Sequence, residues 1–516
     1  MRRGLLAFLL SIAAACSPSV TLPAPSASAA LADDRIQLLH TDDIHGHLDA
    51  DVVQSANASS TFRAGGMAQL AGQVAAYRSR APQRTLLVDG GDAWQGTFIS
   101  NANKGQAVTY AMNLMRYDAL AVGNHDFDWG QDVLMLRATE AVFPFLGANV
   151  IDTRTGKAAP PAYLKPFVVK DLGIAKVGVI GITNPGSATI VKATSVAGLQ
   201  FLPAAQAVRT YLPEVQKQAD IIVVAAHIGT ADAVQLAKDV PGIDVIVAAH
   251  DHLPIRTARL EGKTTIVDAG AYTQYLGKLE IVVDRATHKM KDAIRGDELT
   301  PIAANANVKP DPEIAKLVEE RRAEGDKYTS RVVGRTTEPL SNVREETGFG
   351  NLITDSFIEY GRQQGWKTDV AFYNMAGVRA SFPAGQLTFG QLYEALPFSN
   401  TVVSVDLKGS DLRDIIDRAA CVSGRLHMAG VVVKFRFDGG TPNCTKSITA
   451  GGAPLDPSRV YHITTIDYLL LGGDGHTGFA KGTNVVYGDV EVDVVAAYIT
   501  AHSPVSPKVE GRLDQS

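Results

Sequence analysis

The sequence predicts an α/β protein, and two observations lead to this class. Short runs of apolar, often β-branched residues recur along the first half of the chain and have the length of buried strands. Segments whose apolar residues recur at helical spacing lie between these runs. In addition, polar residues follow many of the apolar runs directly, which is where open α/β sheets place their ligands.

Length and composition set the frame for this class. The chain has 516 residues, which predicts two or more domains. With 46% hydrophobic and 20% charged residues it is typical of a soluble globular protein. The net charge of −5 argues against a nucleic-acid polymer as partner. A small phosphorylated molecule can still bind in a local arginine pocket, and no protein partner is predicted.

Residues 1–32 are predicted to be a targeting segment. Arg2 and Arg3 precede the short apolar run Leu5–Ala15, which is too short to span a membrane as a mature helix. Two processing routes fit the residues. Ala13–Cys16 is similar to a bacterial lipobox, which would tether the protein to a membrane through a lipidated Cys16, and Ala27–Ala29 fits ordinary signal cleavage. Both routes predict export, either as a periplasmic protein or as a cell-envelope lipoprotein.

Five predicted strands are each followed by side chains that can bind a metal. The strands are Ile36–Leu39, Leu86–Val88, Ala119–Val122, Ile221–Ala225 and Val245–Ala249. The seven candidate ligands that follow them are, in chain order, Asp43, His45, Asp92, Asn124, His227, His250 and His252, and His125 and Asp128 lie beside Asn124 without a ligand role. Carboxylate, imidazole and carboxamide groups suit Zn²⁺, Mn²⁺ or Co²⁺, and the absence of thiolate excludes a structural cysteine-zinc site. The set is too large for one tetrahedral ion, so it predicts two divalent metal ions that share a carboxylate, an arrangement that can clamp both oxygens of a phosphoryl transfer.

Each of these residues also has a structural alternative. A single histidine at a strand end is more often a hydrogen-bonded structural group, and His40 and His47 are assigned no ligand role for that reason. Asp92 follows two glycines and could be a turn residue. Asp126 and Asp251 are expected to face solvent or to cap a helix.

Five segments together resemble the metallophosphoesterase signature, in the form found in the bacterial 5′-nucleotidase / UDP-sugar hydrolase family. They are LLHTDDIHGHL, VDGGDAWQGT, GNHDFDWG, AAHIG and AHDH, and their order along the chain is more specific than any one of them. The resemblance implies that residues 33–305 form a four-layer α-β-β-α, calcineurin-like metallophosphoesterase domain. Position 42 is Asp where the family usually has Asn, which adds negative charge beside the site.

The resemblance also assigns roles within this domain. It implies one metal site built from Asp43, His45, Asp92 and His252. It implies a second site built from Asp92, Asn124, His227 and His250, with Asp92 bridging the two ions. It further implies that His125 is the catalytic histidine and that Asp128 orients it.

The remaining elements of the first domain follow from periodicity. Helices are predicted at Gly65–Arg78, Gly105–Met115, Ala204–Lys217 and Ala231–Lys238, and a strand without ligands at Lys176–Ile182. Strands at Thr264–Asp268 and Leu276–Val283 are expected to complete the second sheet of the domain. Residues 306–330 are predicted to be a linker, with a charged, exposed helix at Pro310–Tyr328. In the family such a helix joins two domains that rotate relative to each other.

Residues 331–516 are predicted to be a C-terminal α+β substrate-binding domain, because the resemblance continues there. It is carried by REETGFGNLITDS, NMAGVRASFPAGQLTFGQLYEALPFSN, LKGSDLRDII and LLLGGDGHTGF. It implies substrate-binding roles for Asn374, Arg379, Phe398, Asn400, Tyr468 and Asp474, and places Arg344 near an additional arginine of the family. Phe398 and Tyr468 would stack on a base, Asp474 would accept from ribose hydroxyls and Arg379 would bind a carboxylate or phosphate. Phe398 could instead be a core residue, and the Gly-Gly-Asp-Gly segment that contains Asp474 could be only a turn.

Two departures and one cysteine pair complete this domain. Position 468 is Tyr where the family commonly has Phe, and position 376 is Ala where a glycine is usual, which puts base preference in doubt. Cys421 and Cys444 flank a strand predicted at Val431–Phe437. In an oxidising compartment they predict a disulfide, with two independent buried thiols as the alternative.

The sequence therefore predicts an exported two-metal phosphohydrolase that acts on nucleoside 5′-monophosphates, with di- and triphosphates or UDP-sugars as further candidate substrates. One alternative is a 2′,3′-cyclic-nucleotide 2′-phosphodiesterase with 3′-nucleotidase activity, which shares the first domain. Another is a nucleotide-binding surface protein that has lost catalysis. A protein that has lost catalysis is expected to lack some of the metal ligands, whereas every ligand type is present here.

Overall fold

The computed structural model describes residues 31–32, 34–54, 61–192, 194–296, 298–303, 308–421, 425–436 and 444–515. Nearly all of the predicted targeting segment, including Cys16 and both cleavage motifs, lies outside the described residues. The described part of the chain contains no helix that is both long enough and apolar enough to cross a membrane.

Two sheets form the centre of the N-terminal half. The first contains, in spatial order, Met290–Ile294, Tyr275–Val283, Arg35–Thr41, Thr85–Asp89, Ala119–Ala121 and Phe145–Leu146, with Leu299–Pro301 also paired to Tyr275–Val283. The second contains Arg259–Glu261, Thr264–Val267, Val245–Ala248, Ile221–Ala226, Lys176–Ile182 and Phe167–Asp171. Within each sheet the metal-site strands are parallel to one another, whereas Tyr275–Val283 is antiparallel to Arg35–Thr41.

The two sheets pack face to face. Because side chains alternate between the faces of a strand, every second side chain points toward the other sheet. Leu38 on the first sheet and Val177 and Val223 on the second belong to one buried cluster between the sheets. Leu39, on the opposite face of the same strand as Leu38, packs with the outer helices of the first sheet instead. The α/β class is confirmed, and so is the four-layer α-β-β-α arrangement that the resemblance implied.

Helices cover the outer face of each sheet. Met67–Arg80, Phe98–Asn101, Gln106–Met115 and Gln131–Glu140 lie on the side of the first sheet, and Ala204–Val215 and Thr230–Asp239 lie on the second. The short helix Ser187–Ile190 follows Lys176–Ile182. Each of the four helices predicted in this half is present within a few residues of its predicted bounds.

One strand assignment was wrong. Thr264–Val267 belongs to the second sheet as expected, but Tyr275–Val283 belongs to the first sheet, where Leu279 lies opposite Leu38. The apolar pattern of this strand specifies burial but not its partner. Pairing with a strand more than two hundred residues earlier is decided by the tertiary fold alone.

The linker helix spans Pro312–Thr329. Asp311 caps it by accepting from the backbone N–H groups of Glu313 and Ile314, and Pro312 occupies its first turn, where no N–H partner is needed. Ile314 and Val318 are buried in the core of the first half. The charged side chains point outward, as the sequence predicts.

The C-terminal half has one continuous hydrophobic core. Its main sheet contains Leu426–Ala429, Val370–Asn374, Val460–Ile466, Thr401–Lys408 and Thr483–Val490, and a smaller sheet contains Ala453–Pro454, Thr445–Ala450, Val431–Phe435 and Leu513–Gln515. Its helices are Gly348–Gln363, Phe389–Ala395, Gly409–Cys421, Asp467–Leu470 and Glu491–His502. Two-stranded sheets pair Val332–Thr336 with Gly385–Thr388 here, and Asp51–Gln54 with Thr61–Ala64 and Val150–Asp152 with Leu199–Phe201 in the first half.

Cys421 and Cys444 form a disulfide, with 5.5 Å between their Cα atoms. The bond joins the end of the helix Gly409–Cys421 to the residue before Thr445–Ala450. That strand pairs antiparallel with Val431–Phe435, so the bridge ties the helix to the second strand of this hairpin. Of the two alternatives that the sequence leaves open, the structure contains the disulfide.

Candidate active site

The predicted metal ligands converge because parallel strands end at the same edge of a sheet. Thr41 lies opposite Asp89 at the end of two strands of the first sheet, and Ala226 lies opposite Ala248 at the end of two strands of the second. The loops that follow these four strand ends meet across the gap between the sheets. This convergence explains why residues distant in the sequence form one cluster.

Two groups of side chains lie close enough to hold one cation each. The first consists of Asp43, His45 and His252, and the second of Asp92, His227 and His250. Within each group one ligand atom per residue lies within 4.8 Å of the others. Every one of these residues is among the predicted ligands, and the sharing of Asp92 by two ions and the ligand role of Asn124 stay predictions.

Asp92 lies between the two groups. Its Oδ2 is 3.0 Å from Nε2 of His227 in the second group and 3.7 Å from Nε2 of His45 in the first. Asp43 reaches in the same way, with Oδ1 at 3.4 Å from Nε2 of His252 and at 3.9 Å from Nε2 of His227. A carboxylate oxygen positioned between two imidazole clusters can bridge two ions, which fits the bridging role expected of Asp92.

The residues present fit divalent cations. The side-chain oxygens Oδ1 of Asp43 and Oδ1 of Asn124 are buried without a hydrogen-bond partner. A buried polar atom without a partner is costly, and a cation bound next to it removes that cost. Asn124 is 1% exposed and immediately precedes His125, so its free oxygen belongs to the same edge as the two groups. Together with carboxylates and imidazoles it forms a donor set suited to Zn²⁺, Mn²⁺ or Co²⁺.

Hydrogen bonds behind the ligands set their tautomers. Nδ1 of His45 donates to the carbonyl of Gln95 at 2.7 Å, and Nδ1 of His227 donates to the carbonyl of Gly90 at 3.0 Å. In both residues Nε2 is therefore the nitrogen that faces the cluster. His250 instead presents Nδ1, which lies 3.3 Å from Nε2 of His227.

The local charges favour a cation in the cluster. Burial lowers the pKa of His45 well below its usual value and, with the help of the His227 charge, lowers the pKa of His250 to about 4, which keeps both in the neutral form that binds metals. Burial also acts to lower the pKa of His227, but the charges of Asp92 and Asp43 outweigh it and raise that pKa to about 10. The position beside these two carboxylates thus attracts positive charge, and a metal competes there with a proton.

The backbone of the ligand loops is strained. Several ligands adopt a left-handed conformation, which side chains other than glycine rarely do. Their φ angles are 48° at Asp43, 47° at His45, 56° at Asp92, 100° at His250 and 57° at His252. A strained backbone conformation persists only where the surrounding contacts hold it in place, and such positions are typical of functional sites. Gly123 is required for a related reason, because a Cβ there would lie 2.1 Å from Oδ1 of Asp92.

His125 and Asp128 form the pair that the resemblance implied. Nδ1 of His125 lies 2.9 Å from Oδ2 of Asp128 across one turn of a short 3₁₀ helix. The ring of His125 lies 5.5 Å from that of His45 and is only 15% exposed. Burial alone would lower the pKa of His125, but the charges of Asp128 and Asp92 raise it above its usual value.

The expectation for Asp126 was wrong. Asp126 is 1% exposed, and its carboxylate accepts from the backbone N–H groups of Asp92, Ala93 and Gly123 at 3.0, 2.9 and 2.9 Å. The 3₁₀ turn after Asn124 points this side chain back under the loop of Asp92, so that it joins two ligand loops. Asp251 does lie at the surface, where it accepts from the N–H of Thr230 at the start of a helix.

The two histidines without an assigned ligand role have structural partners. Nδ1 of His40 lies 2.9 Å from Oδ2 of Asp42, and both side chains are fully buried. Burial raises the pKa of Asp42 although His40 opposes the change. Nδ1 of His47 lies 3.0 Å from Oδ1 of Asp51, and its ring stacks 4.4 Å from that of Tyr272.

The C-terminal half reaches the same edge. The ring of Phe398 lies 5.3 Å from that of His125, and the guanidinium of Arg379 lies 5.7 Å from the centre of the Phe398 ring. The Arg379 charge acts on both His45 and His125. Phe398 therefore packs against the proposed catalytic histidine in this structure.

Hydrogen bonds and one ion pair hold the halves together near the site. Nδ2 of Asn101 donates to the hydroxyl of Tyr393 and to the carbonyl of Pro397, both at 3.1 Å. Nζ of Lys192 lies 3.0 Å from Oδ2 of Asp467, the residue before Tyr468. These contacts bring the predicted substrate-binding residues beside the metal cluster.

Three further predicted residues form one hydrogen-bonded unit. Asp474 accepts from the Tyr468 hydroxyl at 2.8 Å through Oδ1 and from Nδ2 of Asn374 at 3.0 Å through Oδ2. The hydroxyl that distinguishes Tyr468 from phenylalanine is thus used within the protein, and burial raises the pKa of that hydroxyl. Asp474 has a left-handed φ of 52° and is held in place by both partners.

Asn400 and Arg344 lie differently. Asn400 is 4% exposed, and its side chain donates to the buried carboxyl group of Glu491 at 3.1 Å. Arg344 is exposed, on the loop in which Asn342 donates to the carbonyl of Arg379. The structure thus places Arg344 at the surface, on the loop next to Arg379.

Tyr272 is a residue of the site that sequence reasoning missed. Its ring lies 5.8 Å from that of His45 and 5.2 Å from that of His252, and its hydroxyl interacts with Arg379. Its φ is 61°, and its backbone N–H donates to the carbonyl of Asp43 at 2.9 Å. No periodicity marks it, since it lies in a short turn between two strands of different sheets.

Comparison with known proteins agrees with this geometry. The sequence model described as "5′-nucleotidase, C-terminal domain" matches residues 332–481. A snake venom 5′-nucleotidase from Naja atra is 27% identical over 93% of this chain and 98% of its own length, and a human 5′-nucleotidase is 28% identical over 93% and 90%. The crystal structure of a 5′-nucleotidase precursor from Thermus thermophilus superposes with a TM-score of 0.84 at 26% identity, over 93% of this chain and 99% of that one.

Proposed function

We propose that this chain, which belongs to the 5′-nucleotidase family, is an exported phosphohydrolase that uses two divalent metal ions to release phosphate from nucleoside 5′-monophosphates. One observation carries the proposal. Two cation-binding groups, the His125–Asp128 pair, Arg379 and Phe398 lie together where the two halves of the chain contact each other. Metal ligands next to a cationic side chain and an aromatic ring suit a substrate that has a phosphate at one end and a base at the other.

The metal ions would be held by Asp43, His45 and His252 on one side and by Asn124, His227 and His250 on the other, with Asp92 between them. Two such ions supply Lewis-acid stabilisation of the phosphoryl group and lower the pKa of bound water. Activity after addition of Zn²⁺, Mn²⁺ or Co²⁺ to the metal-free enzyme identifies the ions.

The protein side chains position the substrate and stabilise charge. His125, oriented by Asp128, donates a hydrogen bond to a phosphoryl oxygen as negative charge grows there. Arg379 offers a charged donor from the opposite side. Phe398 and Tyr468 provide aromatic surface for the base, and Asp474 keeps lone pairs for the ribose hydroxyls.

The proposal includes the domain division. Residues 33–305 carry the metal ligands, residues 306–330 form the linker and residues 331–516 supply the substrate-binding side chains. Residues 1–32 direct export. Fractionation of cells that express the wild type and a Cys16→Ala variant tests this last point. A membrane-bound wild type and a released variant indicate a lipoprotein, release of both indicates a soluble periplasmic protein, and retention of both in the cytoplasm contradicts export.

A panel of phosphate esters tests the activity. The enzyme is stripped with a chelator, reloaded separately with Zn²⁺, Mn²⁺ and Co²⁺, and assayed for orthophosphate from 5′-AMP, 3′-AMP, 2′,3′-cyclic AMP, ATP and UDP-glucose. We expect the highest kcat/KM with 5′-AMP. A preference for the 3′ and cyclic esters would instead indicate the phosphodiesterase alternative. Nucleotide binding without any phosphate release, at full metal loading, would indicate an inactive binding protein.

A further inference from the structure

Lys192 is a cation of the N-terminal half whose partner lies in the C-terminal half. Its Nζ lies 3.0 Å from Oδ2 of Asp467, and the two side chains are 29% and 15% exposed. Neither residue belongs to a cation-binding group or to the His125–Asp128 pair. Solvent screens a partly buried ion pair less than a pair at the surface, so this pair can fix the two halves relative to each other.

The backbone around Lys192 is anchored in the metal-binding half. The preceding residue, Val191, is 4% exposed and belongs to the hydrophobic core of this half. Ser195, three positions after Lys192, donates through its hydroxyl to the carbonyl of Asp128 at 3.3 Å. Lys192 therefore lies between a core residue and a residue that is hydrogen-bonded to the partner of His125.

Asp467 lies where two strands of the C-terminal sheet meet. It directly follows the strand Val460–Ile466, whose antiparallel neighbour begins at Thr401. The backbone N–H of Thr401 donates to Oδ1 of Asp467 at 3.1 Å, while Oδ2 of the same carboxylate faces Lys192. One carboxylate thus joins the end of one strand, the start of the next and the N-terminal half.

Each of these two strand ends is close in sequence to an aromatic residue that is predicted to bind the base. Tyr468 directly follows the carboxylate of the ion pair, and Phe398 precedes the start of the neighbouring strand by three positions. The ring of Phe398 lies 5.3 Å from that of His125, and the carbonyl of Pro397 accepts from Nδ2 of Asn101 at 3.1 Å. A shift of this sheet edge relative to the N-terminal half would move both aromatic side chains relative to the metal groups.

The N-terminal half also touches the loop of Asp474. The short helix Ser187–Ile190, which precedes Lys192, lies against Gly473–Gly475. Asp474 is in turn hydrogen-bonded to the hydroxyl of Tyr468 at 2.8 Å. The helix contact and the ion pair therefore act on neighbouring parts of one hydrogen-bonded unit.

We propose that Lys192 is a positioning residue for the nucleoside part of the substrate. Through Asp467 it sets where Tyr468 and the Phe398 turn lie relative to the metal groups. The inference rests on the proposed function, because it takes Tyr468 and Phe398 to bind the base while the metals bind the phosphate. Loss of the ion pair leaves the binding residues of each half in place but no longer fixes the distance between them. A ligand that spans both halves should then bind more weakly, whereas its two parts taken separately should not.

The test compares a nucleotide with its two parts. kcat/KM for 5′-AMP and the inhibition constants of adenosine and of orthophosphate are measured on the metal-loaded wild type, Lys192→Met and Asp467→Asn. Asparagine keeps an oxygen for the N–H of Thr401 but loses the charge that attracts Lys192. In both variants we expect kcat/KM for 5′-AMP to fall about fivefold, which equals about 1 kcal/mol, the upper end for a partly exposed ion pair. Both inhibition constants should change by less than about twofold, because each inhibitor contacts one half.

The double variant Lys192→Met/Asp467→Asn shows whether the two residues act as a pair. Its kcat/KM for 5′-AMP should lie about fivefold below that of the wild type, as in each single variant, whereas independent effects would multiply to about 25-fold. Lys192→Arg keeps the positive charge and a side chain long enough to reach Asp467. It should therefore restore most of the activity that Lys192→Met loses.

Lys170→Met is the matched control. Nζ of Lys170 lies 2.9 Å from Oδ1 of Asp118, and the two side chains are 37% and 18% exposed. Oδ2 of Asp118 accepts from the backbone N–H of Leu87 at 2.9 Å. This pair has the same chemistry as that of Lys192 but lies entirely within the N-terminal half, so its loss should leave all three constants unchanged.

The proposal is overturned if Lys192→Met lowers kcat/KM for 5′-AMP no more than Lys170→Met does, or if the losses in the double variant multiply. It is also overturned if adenosine and orthophosphate lose affinity as much as 5′-AMP does, which would indicate a general structural role of the pair. A failure of the proposed function is recognised separately, because the metal-loaded wild type would then release no phosphate from 5′-AMP. In that case binding of 5′-AMP is measured by calorimetry, and equal or undetectable affinity in the wild type and Lys192→Met contradicts the role of Lys192.

Discussion

Replacement of His125 by alanine tests the division of labour within the site. The imidazole is not part of either cation-binding group, and its polar contact is with Asp128 at 2.9 Å. Its removal should therefore leave both metal groups intact. What is lost is one oriented donor to the phosphoryl group, and loss of such a donor lowers kcat by about 10²–10³, or about 3–4 kcal/mol.

The assay combines turnover with metal content. Phosphate release from 5′-AMP is measured at saturating substrate, and bound metal is counted on the same samples by mass spectrometry. Asp128→Asn should give a smaller loss of kcat, about tenfold, because the imidazole remains but loses the charge that orients it. His462→Ala is the matched control, since His462 makes a similar contact with Asp406 at 2.6 Å and belongs to neither cation-binding group, and it should leave kcat unchanged.

A His125→Ala enzyme with full metal content and a kcat within threefold of the wild type would refute the reasoning. It would show that His125 is a structural residue of the strand end. A variant that has lost metal would be equally informative, because it would show that His125 supports the ligand loop rather than the substrate.

Three other results are expected. Asp92→Ala should abolish binding of both ions, whereas His252→Ala should lose only the ion of its own group. The number of bound ions is measured after dialysis, and an equal loss in both variants contradicts a bridging Asp92. The double variant Cys421→Ser/Cys444→Ser removes a disulfide that spans 23 residues. It should lower the free energy of unfolding by about 3 kcal/mol in urea titrations, and an unchanged midpoint contradicts this. Burial lowers the pKa of His427 to about 4, so the unfolded chain takes up a proton between its own pKa of about 6.5 and pH 4 while the folded chain does not. Stability from this group is complete above pH 6.5 and should fall by about 3 kcal/mol as pH drops to 4, and His427→Gln should show a flatter profile; parallel profiles would contradict the assignment.

Much of the first half follows from local pattern. Runs such as Lys176–Ile182 and Ile221–Ala226 are strands because they are rich in Val and Ile and contain almost no polar residue, and this property needs no knowledge of distant residues. The candidate ligands Asp43, Asp92 and His227 were identified because parallel strands place the residues after them at a common edge. The family resemblance implies two sites that share Asp92, and the structure brings six of the seven predicted ligands together in two neighbouring groups.

The tertiary structure decided what depends on long-range contact. Tyr275–Val283 joined the first sheet because its partner is Arg35–Thr41, and Asp126 is buried because the turn after Asn124 folds it under the loop of Asp92. Tyr272 carries no sequence signal at all, since its place in the site comes from its contact with His45, more than two hundred residues away. Periodicity reports whether a residue is buried, but the identity of its neighbour is set by how the sheets and the two halves of the chain pack.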